Sequence, residues 1–248
     1  MTKAELVNIF LRTQSIQGSL NFWRMQNVGY AFAVMPLVRK LARGKEDIQV
    51  MMGRHLQMFN THPYLSGPII GSAVRMEEGV PVGPDSGKDA DSLKYALMAP
   101  YAGIGDSFFW GSLKPLSSII AVALAVGGCL AAPLVFLLFY NPPHLWIRGK
   151  GFLEGYQRGR EGIEFIRNID LPRVGGMLRW ISAVFLALLV ILAAAAFGPI
   201  PGYHDPLLKI GALIAVVLIY LAIKKRISAI LILYVIFMIL LMVSYIAG

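Results

Sequence analysis

The stretch LSSIIAVALAVGGCLAAPLVFLLFY, residues 116–140, decides the class of this protein, because it runs for 25 residues without a charged side chain. A helix of about 20 apolar residues is long enough to cross the hydrocarbon core of a bilayer. The sequence therefore predicts a membrane-spanning helix here. We expect a kink at Pro133, because proline removes a backbone hydrogen-bond donor.

The composition of the whole chain agrees with a membrane protein. Of 248 residues, 56% are hydrophobic and 15% are charged, and the mean hydropathy is +0.63, whereas soluble domains average about 25% charged residues. The net charge of +9 is explained by retention of Lys and Arg on the cytoplasmic side of a membrane. With no zinc-ligand or RNA-binding motif in the sequence, no nucleic-acid partner is expected. We predict an all-α, polytopic membrane protein.

Further apolar stretches follow in the second half of the chain, at 180–197, 207–223 and 227–248. Together with the first stretch they predict about four transmembrane helices in a region spanning 116–248.

The connections between these stretches predict an orientation. The connection 141–176 holds six basic residues, the turn 224–226 reads KKR, and the connection 198–206 holds no Lys or Arg. Basic connections are retained in the cytoplasm. We therefore expect a multi-pass protein with 141–176 and the N terminus in the cytoplasm and with the C terminus outside.

Glycines recur at every fourth position within the basic connection, at Gly151, Gly155 and Gly159. On a helix this spacing permits close packing of a second helix. A loose glycine-rich loop is an equally good interpretation of the same residues.

The first half, residues 1–115, has no long charge-free run. It begins with an amphipathic helix, for which Thr2 and Glu5 predict a capping box. The segments 28–38 and 63–74 are apolar but too short to cross a membrane, so we expect broken or re-entrant elements. Irregular backbone is costly in lipid, and such elements are expected to be buried or to line a cavity.

The motif NTHPY, residues 60–64, follows an amphipathic stretch at 48–59. Asn60 is expected to cap a helix there, and the proline stops that helix. Thr61 and His62 then project from a turn. They either donate and accept hydrogen bonds to a polar solute or satisfy freed backbone groups.

The motif GIGDSFFWG begins at Gly103, which together with Gly105 is expected to allow a tight turn. Asp106 or Ser107 then caps a short helix. A carboxylate accepts hydrogen bonds from neighbouring sugar hydroxyls, and an aromatic face such as that of Trp110 packs on a pyranose ring. The alternative is a capped helix with packed aromatic side chains.

Catalytic patterns are missing from the sequence. The G-x-G-D pattern also occurs in intramembrane aspartyl proteases, but that chemistry needs a second carboxylate within a span. No nucleophile elbow, zinc-protease motif or phosphate-binding loop is present, and Cys129 has no charged neighbour that would activate it. Glu77 and Glu78 are expected to be solvated. We therefore expect no catalytic residue, no metal site and no cofactor.

Three long stretches resemble a known family in their order and spacing. GSLNFWRMQNVGYAFAVMPLVRKL (18–41), RHLQMFNTHPYLSGPIIGSAVRMEE (54–78) and LMAPYAGIGDSFFWGSLKP (97–115) are similar to the IID component of the mannose/fructose/sorbose phosphotransferase system. The resemblance implies a subunit of the bacterial cytoplasmic membrane. Such a subunit pairs with a IIC subunit for sugar uptake and forms trimers of IIC–IID pairs. The IIA and IIB subunits carry the phosphoryl group, IIB transfers it to the incoming sugar, and no phosphorylated residue is expected in the IID chain.

The resemblance also makes the two motifs candidates for the sugar site or translocation path. The candidate residues are Asn60, Thr61, His62, Gly103, Gly105, Asp106, Ser107 and Trp110. The expected function is phosphoenolpyruvate-dependent uptake of a hexose-type sugar together with IIC. The alternative is a non-catalytic scaffold that stabilises IIC and docks IIB without contacting sugar. Many family members have a longer segment where this chain has 198–206, which puts any outward-facing role of that segment in doubt.

Overall fold

A computed structural model describes residues 1–83 and 87–197, together with 210–211, 214, 217–218, 221–222, 225 and 227–247. These residues are mostly helical, and the only extended pairing among them is two isolated bridges, Asn21 with Met25 and Met25 with Phe59. The helical class predicted from the sequence is confirmed for this part of the chain.

From α1 to α9, the helices follow one another along the chain with short connections. Those with described bounds are α1 (Lys3–Thr13), α2 (Asn27–Leu41), α3 (Lys45–His55), α4 (Ser66–Glu78), α5 (Lys88–Gly105), α6 (Lys114–Val126), α7 (Ala132–Arg158), α8 (Glu164–Ile169), α9 (Leu171–Phe197) and α10 (Ala229–Ala247). Two short 3-10 segments, Pro63–Leu65 and Gly159–Ile163, and a π-helix, Asp106–Leu113, complete the set.

The chain divides into two compact units, Met1–Val190 and Ile191–Gly248. The candidate residues all lie in the first unit. The division at residue 115 expected from the motifs stays a prediction.

Helix α1 begins with the predicted capping box. The Thr2 hydroxyl accepts from the Glu5 N–H at 3.3 Å, and the Thr2 N–H donates to the Glu5 carboxylate at 2.6 Å. The other end is closed by Arg148 of α7, whose guanidinium donates to the carbonyl of Thr13. A buried cation is favourable there because a helix C terminus carries partial negative charge.

The glycines of α7 pack closely against α4. A Cβ atom on Gly155 would lie 2.5 Å from the carbonyl oxygen of Pro68, and one on Gly151 would lie 2.5 Å from the Pro68 ring. Of the two interpretations of these glycines, close helix packing is therefore confirmed. Gly159 instead ends α7, with a φ of 59°.

The apolar segments 28–38 and 63–74 are helical and not broken internally, so the expected breaks are wrong, whereas a re-entrant placement in a membrane stays a prediction. The first lies within α2, and the second forms a 3-10 turn that leads into α4. The prolines do not interrupt the chain at 63–74, since Pro63 stands at the start of the 3-10 turn, where its missing N–H costs nothing. Burial against α7 stabilises α4 over its short length.

The stretch 116–140 is not one membrane-spanning helix, which corrects the first expectation. Helix α6 ends at Val126, Gly128 takes a φ of 83°, and α7 begins at Ala132. Helices α6 and α7 pack against each other as the two arms of a hairpin. Hydropathy alone does not distinguish one long apolar helix from two shorter ones joined by a Gly-Gly turn.

A buried ion-pair network joins α3, α4 and α5. Arg54 lies 2.6 Å from a Glu77 oxygen and 3.3 Å from Asp91, which in turn lies 2.9 Å from the Lys94 ammonium. Glu77 and Lys94 are only 2% and 1% exposed. The expected solvation of Glu77 is therefore wrong, because the residue turns inward to an arginine 23 positions earlier.

Two helical stretches, Lys88–Val126 and Ala132–Val190, are long and apolar enough to cross a membrane. Most of the residues in the most apolar part of each stretch are not buried within the molecule. The expected span at 180–197 lies within α9, and the one at 227–248 corresponds to α10. Most of 207–223 lies outside the described residues.

Candidate functional site

The backbone around Thr61 is held by one side chain from the start of α2. The amide of Gln26 donates to the Thr61 carbonyl at 2.8 Å and accepts from the Thr61 N–H at 3.1 Å. Because the Gln26 side chain mimics a strand partner, residues 60–62 run extended without belonging to a sheet. Asn60 does not cap a helix as expected, since α3 has already ended at His55.

His62 brings the two sequence motifs together. Its ring stacks on Phe109 with centroids 5.0 Å apart and lies 4.6 Å from the ring of Trp110. Gly105 makes this approach possible, because a Cβ atom there would collide with the Cβ of His62. Two segments more than forty residues apart in sequence thus form one site.

The second motif is helical throughout, so the expected tight turn and helix cap are wrong. Helix α5 continues through Gly103 and Gly105 into the π-helix without a break. Asp106 and Ser107 therefore lie exposed on the surface of a continuous helix and do not cap a helix end. A π-helix is rare and frequently occurs at functional sites.

The structure places the remaining candidates at the open side of this site. Gly103 and Asp106 are exposed, and Trp110 is 45% exposed. Among the described residues, the Asp106 carboxylate accepts no hydrogen bond. Asn60 is half-buried, with its backbone N–H directed at the sulfur of Met98 at 3.4 Å.

Sequence reasoning missed Arg179 of α9. Its guanidinium donates to the hydroxyls of Ser107 at 3.3 Å and Ser112 at 3.1 Å. The Ser112 hydroxyl donates in turn to the Ser107 carbonyl at 2.8 Å. Arg179 directly precedes the apolar stretch 180–197, where a basic residue is ordinary, so the sequence carried no signal of this contact.

Sequence reasoning also missed an aromatic wall beside His62. Tyr64 stacks on His144 of α7 with centroids 4.1 Å apart, and its hydroxyl lies 3.2 Å from that of Tyr140. No sequence spacing predicts the contact between Tyr64 and His144, because it depends on how α7 packs in the folded chain.

The protonation state of His62 follows from its surroundings. Burial, with smaller contributions from His144 and Arg148, lowers the pKa of His62 to about 4. The neutral ring accepts from the Tyr64 N–H through Nδ1 at 3.3 Å, so the proton is assigned to Nε2. His62 therefore presents an N–H donor.

Two polar atoms at this site are buried without a hydrogen-bond partner among the described residues, Nε2 of His62 and the hydroxyl of Thr61. Leaving such a group unpaired costs about 1–3 kcal/mol. A donor and a hydroxyl beside an aromatic face and a carboxylate match the chemistry of a polyhydroxylated ligand. No cluster of three or more His, Cys, Asp or Glu that would bind a metal occurs in the described part of the chain.

A family model for the "PTS system mannose/fructose/sorbose family IID component" matches residues 1–196. The fructose permease IID component of Bacillus subtilis is 38% identical over 166 residues, which cover 65% of this chain and 59% of that protein. The mannose-specific EIID component of Escherichia coli K12 is 34% identical over 181 residues, covering 72% of this chain and 62% of that protein.

Sorbose-specific relatives match as well. The sorbose-specific EIID component of Klebsiella pneumoniae is 34% identical over 160 residues, covering 64% of this chain and 58% of that protein. The matched part of the chain thus spans about three fifths of the length of these relatives.

Two solved structures have a similar fold over the whole chain. One is described as a membrane protein and matches with a TM-score of 0.72 at 26% identity, covering 100% of this chain and 97% of that chain. The other is the mannose transporter ManYZ in complex with microcin E492, with a TM-score of 0.59 at 25% identity and the same coverage.

Proposed function

Because this chain belongs to the mannose/fructose/sorbose family of phosphotransferase-system IID components, we propose that it acts with a IIC subunit in phosphoenolpyruvate-dependent uptake of a hexose-type sugar. The similarity to mannose-, fructose- and sorbose-specific relatives supports the substrate class. The similarity to a chain of the ManYZ transporter supports pairing with a second membrane subunit. IIA and IIB would supply the phosphoryl group, and the assembly would be a trimer of IIC–IID pairs.

One observation carries the proposal that this subunit contacts the sugar. The motifs at 60–64 and 103–111 converge, and they leave the Nε2–H of His62 and the hydroxyl of Thr61 buried without partners. The half-exposed Trp110 contacts His62, and the exposed Asp106 directly follows Gly105, which also contacts His62. Sugar hydroxyls would pair with the polar groups while the ring packs on the indole.

Contacts between the N-terminal region and α7 support a specific topology. Helix α1 packs on α7, with the rings of Phe10 and Phe152 5.7 Å apart, and the Met1 amino group contacts Tyr156 at 3.3 Å. The basic part of α7 is therefore on the same side of a membrane as α1. By the positive-inside rule that side is the cytoplasm, which leaves the C terminus outside at the bacterial cytoplasmic membrane.

A second candidate function is a scaffold that docks IIB without touching sugar. A groove of about 340 Å³ between α1 and α2 favours it, because three cations line that groove, Arg12, Arg39 and Lys40, against one carboxylate, Glu5. An acidic carrier protein would be attracted there. Both roles are compatible with the same topology, so only a test of contact between this chain and the sugar distinguishes them.

The substitution Asp106→Asn tests contact with the sugar. Asparagine keeps the size of the side chain and removes its charge. If the carboxylate accepts from sugar hydroxyls, the affinity for sugar falls by about tenfold to a hundredfold, the value of one charge-assisted hydrogen bond. The measurement is the KM of sugar uptake in cells that also express the cognate IIC, IIA and IIB.

Asp89→Asn is the matched control, since Asp89, like Asp106, is an exposed aspartate but lies at the start of α5, far from the motif. It should leave uptake unchanged. An Asp106→Asn complex that assembles with IIC and keeps the wild-type KM would exclude the carboxylate from the sugar site. It would leave the scaffold as the better proposal.

A further inference from the structure

Two adjacent aromatic side chains are displayed on a tight loop between α1 and α2. Phe22 is 89% exposed and Trp23 is 86% exposed. Their rings pack edge to face with centroids 5.8 Å apart, so the pair forms one compact apolar knob. Nothing in the candidate site uses either residue. We refer to this pair as the Phe22–Trp23 knob.

The loop that carries the knob is rigidly built. Asn21 and Met25 exchange both backbone hydrogen bonds, at 2.9 and 3.0 Å. The Asn21 side chain accepts from the Arg24 N–H at 2.8 Å and donates to Asn27 at 2.7 Å. Met25 has a φ of 57°, a conformation unfavourable for a residue with a side chain. Several hydrogen bonds thus stabilise this turn and fix the orientation of the two rings that it carries.

The base of the loop is joined to the candidate site. Gln26, the residue after Met25, donates its backbone N–H to the Phe59 carbonyl at 2.8 Å. Its side chain bonds both backbone groups of Thr61. Whatever binds the knob is therefore positioned against the segment that carries Thr61 and His62.

A fixed aromatic pair is suited to a protein pocket. Tryptophan is enriched among the residues that dominate binding energy at protein interfaces, and holding such residues in the bound orientation reduces the entropy lost on binding. A lipid surface has no fixed shape, so binding to lipid would gain little from a loop that fixes the orientation of the two rings. Interfacial anchors commonly use Lys and Arg to bind lipid headgroups. The loop 14–26 has one basic residue, Arg24, and its guanidinium donates to the Leu56 carbonyl at 3.1 Å.

We infer that the Phe22–Trp23 knob inserts into an apolar pocket of the IIC partner subunit and so aligns that subunit over the site around His62. This inference rests on the proposed function, which supplies the partner. The pocket is expected to be lined by aliphatic or aromatic side chains and to admit two rings. The knob would then act as the orienting contact between the subunits.

The test measures capture of the cognate IIC by this chain, co-expressed and purified in detergent. The double substitution Phe22→Ala and Trp23→Ala should weaken capture by about tenfold to a hundredfold, as expected for aromatic residues that dominate an interface. Phe22→Tyr with Trp23→Phe is the matched control. It keeps both rings and should restore capture to near the wild-type level.

A variant of the supporting loop separates the effect of ring orientation from the effect of exposed apolar surface alone. Asn21→Ala keeps both rings but removes the side-chain hydrogen bonds to Arg24 and Asn27. Capture should fall severalfold, less than for the double alanine variant. Unchanged capture by Asn21→Ala would overturn the role of the rigid loop.

The outcomes distinguish the inference from the function it rests on. If the wild-type chain fails to capture IIC, the proposed function fails and the inference with it. If the wild-type and double alanine chains capture IIC equally, only the inference is overturned. Thermal unfolding of each variant checks folding. The unfolding temperature should not change for the double alanine variant, because Phe22 and Trp23 are exposed, and the Asn21→Ala chain should unfold cooperatively even where the lost hydrogen bonds lower its stability.

Lipid as the occupant is tested separately by fluorescence. The emission of Trp23 is obtained from the assembled complex as the difference between the wild-type and Trp23→Phe chains, in bilayers that contain brominated lipid. We expect no quenching of this emission, because the indole lies in a protein pocket. Strong quenching would identify the bilayer as the occupant and overturn the inference.

Discussion

At the scale of single residues, the candidate site depends on a close approach of backbone to side chain, that of Gly105 to His62. The glycine is conspicuous in the sequence as part of a G-x-G pattern, which favours a turn. In the structure both glycines are helical, and they differ in what surrounds them. Gly105 is buried against the histidine, whereas nothing lies within 4 Å of a Cβ atom built on Gly103.

This difference makes a matched pair of substitutions informative. Gly105→Ala should destabilise the fold by about 1–3 kcal/mol, because the new methyl group forces His62 out of its stack on Phe109. Gly103→Ala should be neutral or stabilise the helix by up to about 1 kcal/mol, because alanine is the better helix former. Thermal unfolding in detergent measures both. Equal effects of the two variants would contradict the close packing described for Gly105.

His62 predicts a pH dependence of stability. Its pKa is lowered to about 4 in the folded chain and is about 6.5 in an unfolded one. Between these values the unfolded state binds a proton that the folded state does not, so stability falls as the pH is lowered from about 6.5 to about 4. The loss attributable to His62 is at most about 3 kcal/mol, from 1.36 kcal/mol per pKa unit.

The control for this prediction is His62→Gln, which keeps a hydrogen-bonding side chain but does not titrate. The difference in unfolding temperature between wild type and variant should shrink or change sign as the pH falls from 7 to 4.5, since only the wild type loses stability through this group. A constant difference over that range would argue that residue 62 does not titrate on unfolding.

At the scale of secondary-structure elements, the hairpin of α6 and α7 determines how the chain is arranged about a membrane. A single span at 116–140 would place residues before 116 and after 140 on opposite sides. The hairpin returns them to the same side, where α4 packs on α7 through Gly151 and Gly155. The ion-pair network around Glu77 belongs to this scale too, because it ties α3, α4 and α5 into the same body.

Cysteine accessibility tests this arrangement. In a Cys129→Ser background, which removes the one native cysteine, single cysteines are placed at the exposed positions Gln49 of α3 and Glu161 after α7. An impermeant thiol reagent should label both in inside-out vesicles and neither in whole cells. Labelling of the two positions from opposite sides would contradict the hairpin. Labelling of both only from outside would instead reverse the orientation that the basic residues predict.

At the scale of the whole molecule, the surface is not that of a self-sufficient transporter. Large apolar side chains are exposed along α9, among them Trp180 at 79% and Val190 at 62%. The candidate sugar site is open on the side of Asp106. Lipid covers apolar side chains but does not satisfy polar ones, so a second protein is the better cover for that side.

We therefore expect no transport by the chain alone. Reconstituted into liposomes without IIC, it should give no saturable sugar flux above that of empty liposomes, because a translocation path needs both walls. Liposomes that contain both subunits are the positive control. Saturable flux from the lone chain would contradict the need for a partner.

The sequence by itself determined the class of the molecule, the cap of its first helix and the two motifs of its candidate site. These features are local: hydropathy, the Thr2–Glu5 spacing and the clustering of polar residues with glycine or proline can each be seen within a few positions along the chain. The similarity of its long motifs to one family was also readable directly, because those motifs are contiguous in the sequence.

Tertiary structure alone decided how these pieces meet. The pairing of His62 with Gly105, the inward turn of Glu77 toward Arg54, and the contact of Arg179 with Ser107 join residues that are distant along the chain. The hairpin at Gly128 was equally hidden, because an apolar helix and two apolar arms have the same composition. Each depends on which surfaces of distant segments pack together, and burial between distant segments leaves no periodic signal in either one.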